Sequence, residues 1–206
     1  MTQLTDSFGR TISYLRLSLT DRCDFRCTYC MAEHMQFLPK ADLLTFEELE
    51  RVCDLFIARG VRKIRVTGGE PLVRKGALDF IQTLGTRLKP QHRAGGAAQS
   101  GDTSSGEYGL DELTLTTNGS QLQTSAAAIK AAGVKRINVS IDTLDRKTFA
   151  SLTRRDQLPT VLDGLMAAKD AGLKVKLNTV ALKGVNEDQF DALISFCGLH
   201  GFDLTP

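Results

Sequence analysis

The sequence predicts an α/β fold in which one parallel sheet forms an incomplete, open barrel. Strand and helix patterns alternate along nearly the whole chain, and this alternation favours parallel strands joined by right-handed crossovers. Each strand pattern is apolar on one side and polar on the other. A closed eight-stranded barrel fills its interior with branched apolar side chains, and a doubly wound sheet buries both faces under helices. A polar face repeated in five strands therefore predicts a curved sheet whose concave side can hold a polar ligand.

Length and composition indicate one domain that spans residues 1–206. The chain has 42% hydrophobic and 24% charged residues and a net charge of +2, which is too small to favour non-specific binding to nucleic acid or membranes. It shows no apolar run long enough to cross a bilayer and no secretory signal, so we expect a cytoplasmic protein with reduced thiols. Residues 90–109, rich in Gly, Ser, Ala and Gln, predict a flexible surface insertion, with a domain boundary as the alternative.

The secondary-structure patterns follow one another in a regular order. The first strand, residues 14–19, alternates leucine with polar residues and leads into a cysteine-rich loop. A capping box at Thr45 and Glu48 predicts the first helix, which Gly60 can end. Further strands are expected at residues 63–67, 112–116, 134–142, 174–180 and 202–204. Further helices are expected at residues 77–88, 120–132, 146–152, 158–171 and 187–199.

Two of the five cysteines are expected in the hydrophobic core. Cys53 falls on the apolar stripe of the first helix. Cys197 falls on the stripe of the last helix, which comprises Phe190, Leu193, Ile194 and Cys197. We interpret both cysteines as core residues because free cysteine packs as a small hydrophobe.

The polar side of the strands carries the candidate ligand-binding residues. In chain order these are Arg16, Ser18, Thr20, Arg65, Thr67, Thr114, Thr116, Asn138, Ser140, Asp142, Lys176 and Asn178. The alternative is that they pair among themselves in a polar core, since buried polar groups need partners whatever the function.

The other three cysteines, Cys23, Cys27 and Cys30, have the spacing C-x3-C-x2-C directly after the first strand. Three thiolates on one short loop can ligate three irons of a 4Fe-4S cluster, which leaves the fourth iron open. A zinc site with His34 as the fourth ligand is an alternative. A disulfide set is disfavoured because three clustered cysteines cannot all pair, and a redox C-x2-C motif lacks its usual position at a helix N-terminus.

Together these motifs resemble the MoaA family of GTP 3',8-cyclases, which are radical S-adenosylmethionine (SAM) enzymes. The matching segments are residues 6–10, 14–18, 20–31, 64–72, 115–119 and 137–142. The resemblance implies the partial, TIM-barrel-like fold of radical SAM enzymes. It also implies a lyase reaction in which reductive cleavage of SAM gives a 5'-deoxyadenosyl radical. This radical converts GTP to 3',8-cyclo-7,8-dihydro-GTP, the first step of molybdenum cofactor biosynthesis.

The resemblance also assigns roles to individual residues. It implies that Cys23, Cys27 and Cys30 ligate the catalytic cluster. Matching SAM contacts are Tyr29, Gly69 and Ser140, with Gly68 and Glu70 as weaker candidates in the same Gly-Gly-Glu motif. Matching GTP contacts are Arg16, Arg65, Thr116 and Lys176. Three cations on one concave face suit a triphosphate, because guanidinium groups bind phosphate oxygens in a bidentate way. Structural ion pairs with an acid such as Asp142 are the alternative.

The chain also departs from the family pattern. The family has a C-terminal part in which three further cysteines hold a second 4Fe-4S cluster and a further SAM contact lies beyond the sixth strand. After Cys30 only Cys53 and Cys197 remain, so the ligands of a second cluster are absent, and we expect a fragment or a truncated product. Residues 31–34 lack the proline that commonly follows the Cys-Met pair, which leaves the zinc alternative open.

Two other functions remain possible at this level. One is a radical SAM enzyme with a peptide or tetrapyrrole substrate, and the other is a non-catalytic, zinc-stabilised or truncated binding module. For the cyclase we expect GTP and an electron donor of the flavodoxin or ferredoxin type as partners. A homodimer is possible because an unpaired sixth strand invites association.

Overall fold

Six strands form one parallel sheet in chain order. The computed structural model describes residues 3–92 and 109–206. The strands are β1 (Tyr14–Ser18), β2 (Lys63–Thr67), β3 (Glu112–Thr117), β4 (Arg136–Ser140), β5 (Lys174–Asn178) and β6 (Asp203–Thr205). Each strand pairs in parallel with the next, and β1 and β6 form the two edges of the described sheet. The predicted fold class, an open parallel α/β barrel, is therefore confirmed.

Helices connect the strands and pack on the apolar side of the sheet. They are α1 (Phe46–Ala58), α2 (Ala77–Gly85), α3 (Leu122–Ala131), α4 (Arg146–Thr153), α5 (Leu158–Asp170) and α6 (Phe190–His200). The predicted capping box begins α1. The Thr45 hydroxyl accepts a hydrogen bond from the Glu48 backbone N–H at 3.2 Å, and the Glu48 carboxylate accepts one from the Thr45 N–H at 2.7 Å. Two backbone donors at the helix start thereby gain partners.

The core lies between the apolar side of the strands and these helices. Ile64, Leu113 and Leu177 are at most 1% exposed, as the alternation of each strand predicts. Cys53 and Cys197 are buried in the same core, with exposures of 0% and 4%. Their interpretation as core residues is confirmed.

The strand register aligns the polar side chains across the sheet. Arg65 on β2 lies beside Thr114 on β3. Thr116 lies beside Asn138 on β4, which in turn lies beside Lys176 on β5. The loops that follow the strands all leave from the carboxyl ends of the strands, on one side of the sheet, because the strands are parallel. The cysteine loop after β1 therefore lies near the ends of the neighbouring strands.

Some element ends differ from the sequence prediction. β4 and β5 are shorter than their patterns, α2 ends at Gly85, and a 3-10 turn at Glu187–Gln189 precedes α6. The expectation that Ile194 faces the core is wrong, since this side chain is 58% exposed. Because α6 packs on the edge strand β6, it buries a narrower stripe than a helix over the middle of the sheet would.

The predicted insertion at about residues 90–109 falls largely outside the described residues. Pro90–His92 form a short 3-10 turn, and the description resumes at residue 109. Within the two described ranges, no helix is long and apolar enough to cross a membrane.

Gly164 allows close packing between α5 and the chain around α3. A Cβ atom at Gly164 would lie 2.7 Å from the Gly119 carbonyl oxygen and 3.0 Å from the Leu122 Cβ. We therefore predict that Gly164→Ala lowers the free energy of unfolding by about 1–3 kcal/mol, because α5 has to shift. Urea unfolding followed by circular dichroism measures this difference.

The matched control is Gly198→Ala, which changes a helical glycine of α6. Gly198 is exposed, and a Cβ there would meet no atom within 4 Å. We expect this variant to be up to about 1 kcal/mol more stable than the parent protein, since alanine favours the helix. A Gly164→Ala protein as stable as the parent would contradict the close contact.

Candidate functional site

A cavity of about 850 Å³ lies on the polar side of the sheet, beneath the cysteine loop. It contains most of the residues for which the sequence predicts a role. Those that line it are Cys23, Cys27, Tyr29, Cys30, Arg65, Gly69, Thr116, Ser140 and Lys176. The cavity is large enough for a drug-sized or nucleotide-sized ligand. The individual roles of these residues remain predictions, but their positions make one common site possible.

Backbone hydrogen bonds fix the cysteine loop against the end of α4. The Arg26 N–H donates to the Thr153 carbonyl oxygen at 2.9 Å, and the Thr28 N–H donates to the Leu152 carbonyl oxygen at 2.8 Å. Next to Arg26 in the loop, the buried Phe25 packs edge-to-face on Phe149, with ring centroids 5.7 Å apart. The loop is thus ordered by the protein itself.

Side chains connect the first half of the loop to the turn after β3. Asp24 accepts hydrogen bonds from Asn118 Nδ2 and from Ser120 Oγ, both at 2.6 Å. Asn118 Nδ2 also lies 3.6 Å from Cys23 Sγ. This turn, the Thr-Asn-Gly turn at residues 117–119, therefore contacts both Cys23, a predicted cluster ligand, and its neighbour Asp24.

A second connection joins the far half of the loop to the end of β4. The Tyr29 hydroxyl donates to Asp142 Oδ2 at 2.6 Å, and the Val180 N–H donates to Asp142 Oδ1 at 2.8 Å. Burial, together with the neighbouring Asp142 carboxylate, raises the pKa of Tyr29. Tyr29 therefore remains protonated and keeps donating to Asp142.

Glu70 is a fully buried carboxylate at the base of the site. It accepts hydrogen bonds from the N–H groups of Leu72 and Asn118, at 3.0 and 2.6 Å, and from the Thr117 hydroxyl at 2.9 Å. Burial raises the pKa of Glu70 to about 7, and the hydrogen bonds oppose this rise. Glu70 therefore links the turn after β2 to the turn after β3.

Gly69 lies in close contact with the chain that leads into the cysteine loop. Its N–H donates to the Thr20 carbonyl oxygen at 2.7 Å. A Cβ atom at this position would lie 2.4 Å from the Arg22 carbonyl oxygen and 2.6 Å from that of Asp21. The structure thus gives glycine a packing reason at this position, and the contact with SAM remains a prediction.

Several polar atoms on the cavity wall lack partners. Within the described residues, Arg65 Nε, Thr116 Oγ1 and Asn138 Oδ1 are buried without a hydrogen bond. Neither Arg65 nor Lys176 forms an ion pair with a described carboxylate, and the alternative partner Asp142 is occupied by Tyr29 and Val180. These polar groups are therefore available to a ligand.

The remaining two arginines of the polar side differ from Arg65. Arg16 is exposed on the edge strand β1 and is not among the residues that line the cavity. Arg136 lines the cavity, but it forms an ion pair with Glu112, which also binds Lys63 at 2.6 Å. This ion-pair group lies near the amino ends of the strands, and Arg136 is its member that lines the cavity.

The three loop cysteines fit a cluster better than a zinc ion. Burial raises the pKa of Cys23 and Cys27 to about 11, so a positively charged metal is needed to hold them as thiolates at neutral pH. In the part of the chain that the structure describes, no three Cys, His, Asp or Glu side chains converge closely enough to hold one metal ion, and His34 is exposed. Zinc needs four donors around one ion, whereas the thiolates of a 4Fe-4S cluster bind separate irons.

Sequence reasoning missed several residues that build this site. The sequence assigns no role to Asp24, Asn118 and Ser120, makes Glu70 only a weak candidate, and places Asp142 on the polar side without predicting its bond to Tyr29. One available signal was the Thr-Asn-Gly turn directly after a buried strand, where polar side chains can reach the neighbouring strand ends. The contacts themselves join positions 94 and 96 residues apart.

Comparisons with known proteins identify the family. The Radical SAM superfamily model matches residues 17–197. A protein of Paracoccus denitrificans (strain Pd 1222) named GTP 3',8-cyclase is 57% identical over 202 residues, which cover 98% of this chain and 54% of that protein. A GTP 3',8-cyclase of Erythrobacter litoralis is 57% identical over 203 residues, covering 98% and 56%. The resemblance is confirmed, and the chain spans about half the length of these curated relatives.

Solved structures show the same fold. Streptococcus suis SuiB bound to S-adenosylmethionine has a TM-score of 0.68 at 19% identity, over 93% of this chain and 39% of that chain. Methylornithine synthase (PylB) has a TM-score of 0.62 at 15% identity, over 93% of this chain and 52% of that chain. At these identities the likeness supports the fold alone.

The buried Glu70 should make stability depend on pH. Its pKa rises from 4.5 to about 7 on folding, so between these values the folded state binds more protons than the unfolded state. The free energy of unfolding should therefore decrease as the pH rises through this range. We predict that Glu70→Gln removes this part of the slope and, because Asn118 N–H loses its acceptor, lowers stability by about 1–3 kcal/mol.

Urea unfolding at several pH values between 4.5 and 7 measures both effects. The control is Asp163→Asn, which changes an exposed acid on α5 and should alter stability by less than about 0.5 kcal/mol. A Glu70→Gln protein with the same pH profile as the parent would show that Glu70 does not take up a proton on folding.

Proposed function

The chain belongs to the radical SAM superfamily, and from that premise we propose that it binds a 4Fe-4S cluster and SAM and acts in GTP 3',8-cyclisation. The observation that carries this proposal is the common cavity, in which three loop cysteines face a wall of unpartnered polar groups. The names of the curated relatives support GTP as the substrate. A cytoplasmic location, where thiols stay reduced, is part of the proposal.

Cys23, Cys27 and Cys30 would hold the cluster. When bound, such a cluster supplies the electron that cleaves SAM to methionine and a 5'-deoxyadenosyl radical. The protein contributes an ordered loop, because the bonds to α4, Asn118 and Asp142 fix it on three sides. Tyr29, Gly69 and Ser140 line the cavity near this loop and would contact SAM, as the resemblance implies.

Arg65, Thr116 and Lys176 would bind GTP. Arg65 and Lys176 line the cavity and form no ion pair with a described residue. These two cations therefore remain available for the triphosphate. Arg16 lies on the adjacent strand opposite Arg65, and as an exposed cation it would act at the rim rather than on the cavity wall. Guanidinium groups bind phosphate oxygens more specifically than a point charge does.

A peptide or tetrapyrrole substrate explains these groups less well. The structural neighbour SuiB has been solved bound to its precursor peptide SuiA, but its 19% identity supports only a shared fold. With such a substrate, Arg65 and Lys176 would have no triphosphate to bind. The two cations Arg65 and Lys176, together with the names of the relatives, favour a nucleoside triphosphate as the substrate.

Any second cluster requires ligands from outside these 206 residues. Cys53 and Cys197, the two cysteines not in the loop, are both buried in the core. The proposal also includes an electron donor of the flavodoxin or ferredoxin type, and a homodimer that pairs through the open edge at β6.

Changing a loop cysteine should remove the cluster. We predict that Cys27→Ser protein, after anaerobic reconstitution, fails to bind a full complement of iron and sulfide and does not form 5'-deoxyadenosine from SAM. Cys53→Ala is the control, because Cys53 is fully buried in the core. It should keep the cluster and lose only about 1–2 kcal/mol of stability. Visible absorbance and iron content measure the outcome, and loss of iron in Cys53→Ala alone would contradict the ligand assignment.

Removing a cation from the cavity wall should weaken GTP binding. We predict that Arg65→Ala and Lys176→Ala each reduce the affinity for magnesium-GTP roughly 10- to 100-fold, as expected when a charged hydrogen bond is lost. Lys169→Ala, which removes an exposed lysine of α5, is the control and should bind like the parent protein. Calorimetric titration measures all three, and unchanged affinity in both wall variants would contradict the substrate assignment.

A further inference from the structure

The side chain of Asn118 has one orientation that its neighbours determine. Its Oδ1 accepts a hydrogen bond from the Ser120 N–H at 2.9 Å. Its backbone N–H donates to Glu70 Oε2 at 2.6 Å. The amide oxygen is thus held within its own turn, and the Nδ2 group must face the cysteine loop.

Both hydrogens of Nδ2 have an acceptor. One points to Asp24 Oδ1, at 2.6 Å, and the other to Cys23 Sγ, at 3.6 Å. An amide group has two donors, so both contacts can form at the same time. Asn118 therefore lies between the Cys23 sulfur and the Asp24 carboxylate, and it donates to each.

This position matters because Cys23 and Asp24 are close to each other. Cys23 Sγ lies 3.8 Å from Asp24 Oδ1. A cysteine that ligates iron carries negative charge, and a carboxylate at this distance repels it. The partial positive charge of the Asn118 N–H groups reduces this repulsion and withdraws charge from the sulfur.

We infer that Asn118 is a positioning residue that fixes Cys23 for the cluster and, by its N–H···S contact, raises the reduction potential of that cluster. The inference rests on the proposed function, since it assumes a cluster on Cys23. Hydrogen bonds to cluster sulfurs are one of the main determinants of cluster potential. A cluster that is easier to reduce takes an electron from a weaker donor.

Ser120 provides a matched control within the same turn. Its hydroxyl donates to Asp24 Oδ2 at 2.6 Å, but the structure gives it no contact with Cys23. Ser120→Ala keeps the N–H that Asn118 Oδ1 accepts, so it weakens the hold on Asp24 and leaves the sulfur contact intact. A purely structural role of the turn predicts equal effects of Ser120→Ala and Asn118→Ala, whereas the inference predicts a difference.

The test is a redox titration of the reconstituted protein without SAM, followed by electron paramagnetic resonance. We expect Asn118→Ala to lower the ratio of reduced to oxidised cluster at a fixed potential about tenfold, which corresponds to a shift of about 59 mV for a one-electron couple. Asn118→Asp keeps the acceptor for Ser120 N–H, replaces the donor by a negative charge and should shift the potential further in the same direction. Ser120→Ala should keep the parent potential.

Each outcome has a distinct meaning. Unchanged potentials in both Asn118 variants, or an equal shift in Ser120→Ala, would overturn the inference. If the Asn118 variants bind little iron while Ser120→Ala binds it fully, and urea unfolding of the apoproteins is equal, the positioning of Cys23 is supported. A parent protein that binds no cluster would instead refute the proposed function.

Discussion

The buried Glu70 carboxylate is the interaction on which the site depends. It is fully buried, and three donors from two neighbouring turns satisfy its oxygens. Loss of these partners would destabilise the fold, because an unsatisfied buried acceptor costs about 1–3 kcal/mol of folding free energy. Glu70 therefore holds the ends of β2 and β3 in one relative position. Asn118, which the Glu70 carboxylate binds through its backbone, then reaches the cysteine loop.

Contacts with three neighbouring parts of the protein hold the cysteine loop in place. Fixing the backbone of one residue costs about 1–2 kcal/mol of conformational entropy, so a mobile loop of this length would bind a cluster poorly. The contacts of Phe25, Asp24 and Tyr29 fix the loop when the domain folds. Cluster binding therefore does not have to offset this loss of conformational entropy. Because the partners lie on α4, on the turn after β3 and just beyond the end of β4, the loop has little freedom to move away from the cavity.

The fold was largely predictable because strand alternation has a strict period of two. Once Ile64 and Leu113 are assigned to the helix side, Arg65 and Thr116 have to face the cavity. The sequence could not predict the contacts of Asp24 with Asn118 and Ser120, since they depend on how the strand ends meet in space. Nor does alternation distinguish an edge strand from a central one, which explains why Arg16 has the correct side of the sheet but lies outside the cavity wall. The exposure of Ile194 could not be predicted for a similar reason. A helical period shows which face of a helix is apolar, but it does not show how much of that face is covered by the sheet.

The two ends of the polar face differ in how their polar groups are paired, and this difference favours ligand binding. Near the amino ends of the strands, Arg136 and Lys63 both form ion pairs with Glu112, so this sheet can pair cations internally. Nearer the cysteine loop, Arg65 Nε and Thr116 Oγ1 are buried without partners among the described residues. Leaving them unsatisfied lowers stability, and none of the acids in the described ranges forms an ion pair with Arg65. A face that pairs its charges at one end and leaves them open at the other is suited to bind an anionic molecule at the open end, next to the three thiols.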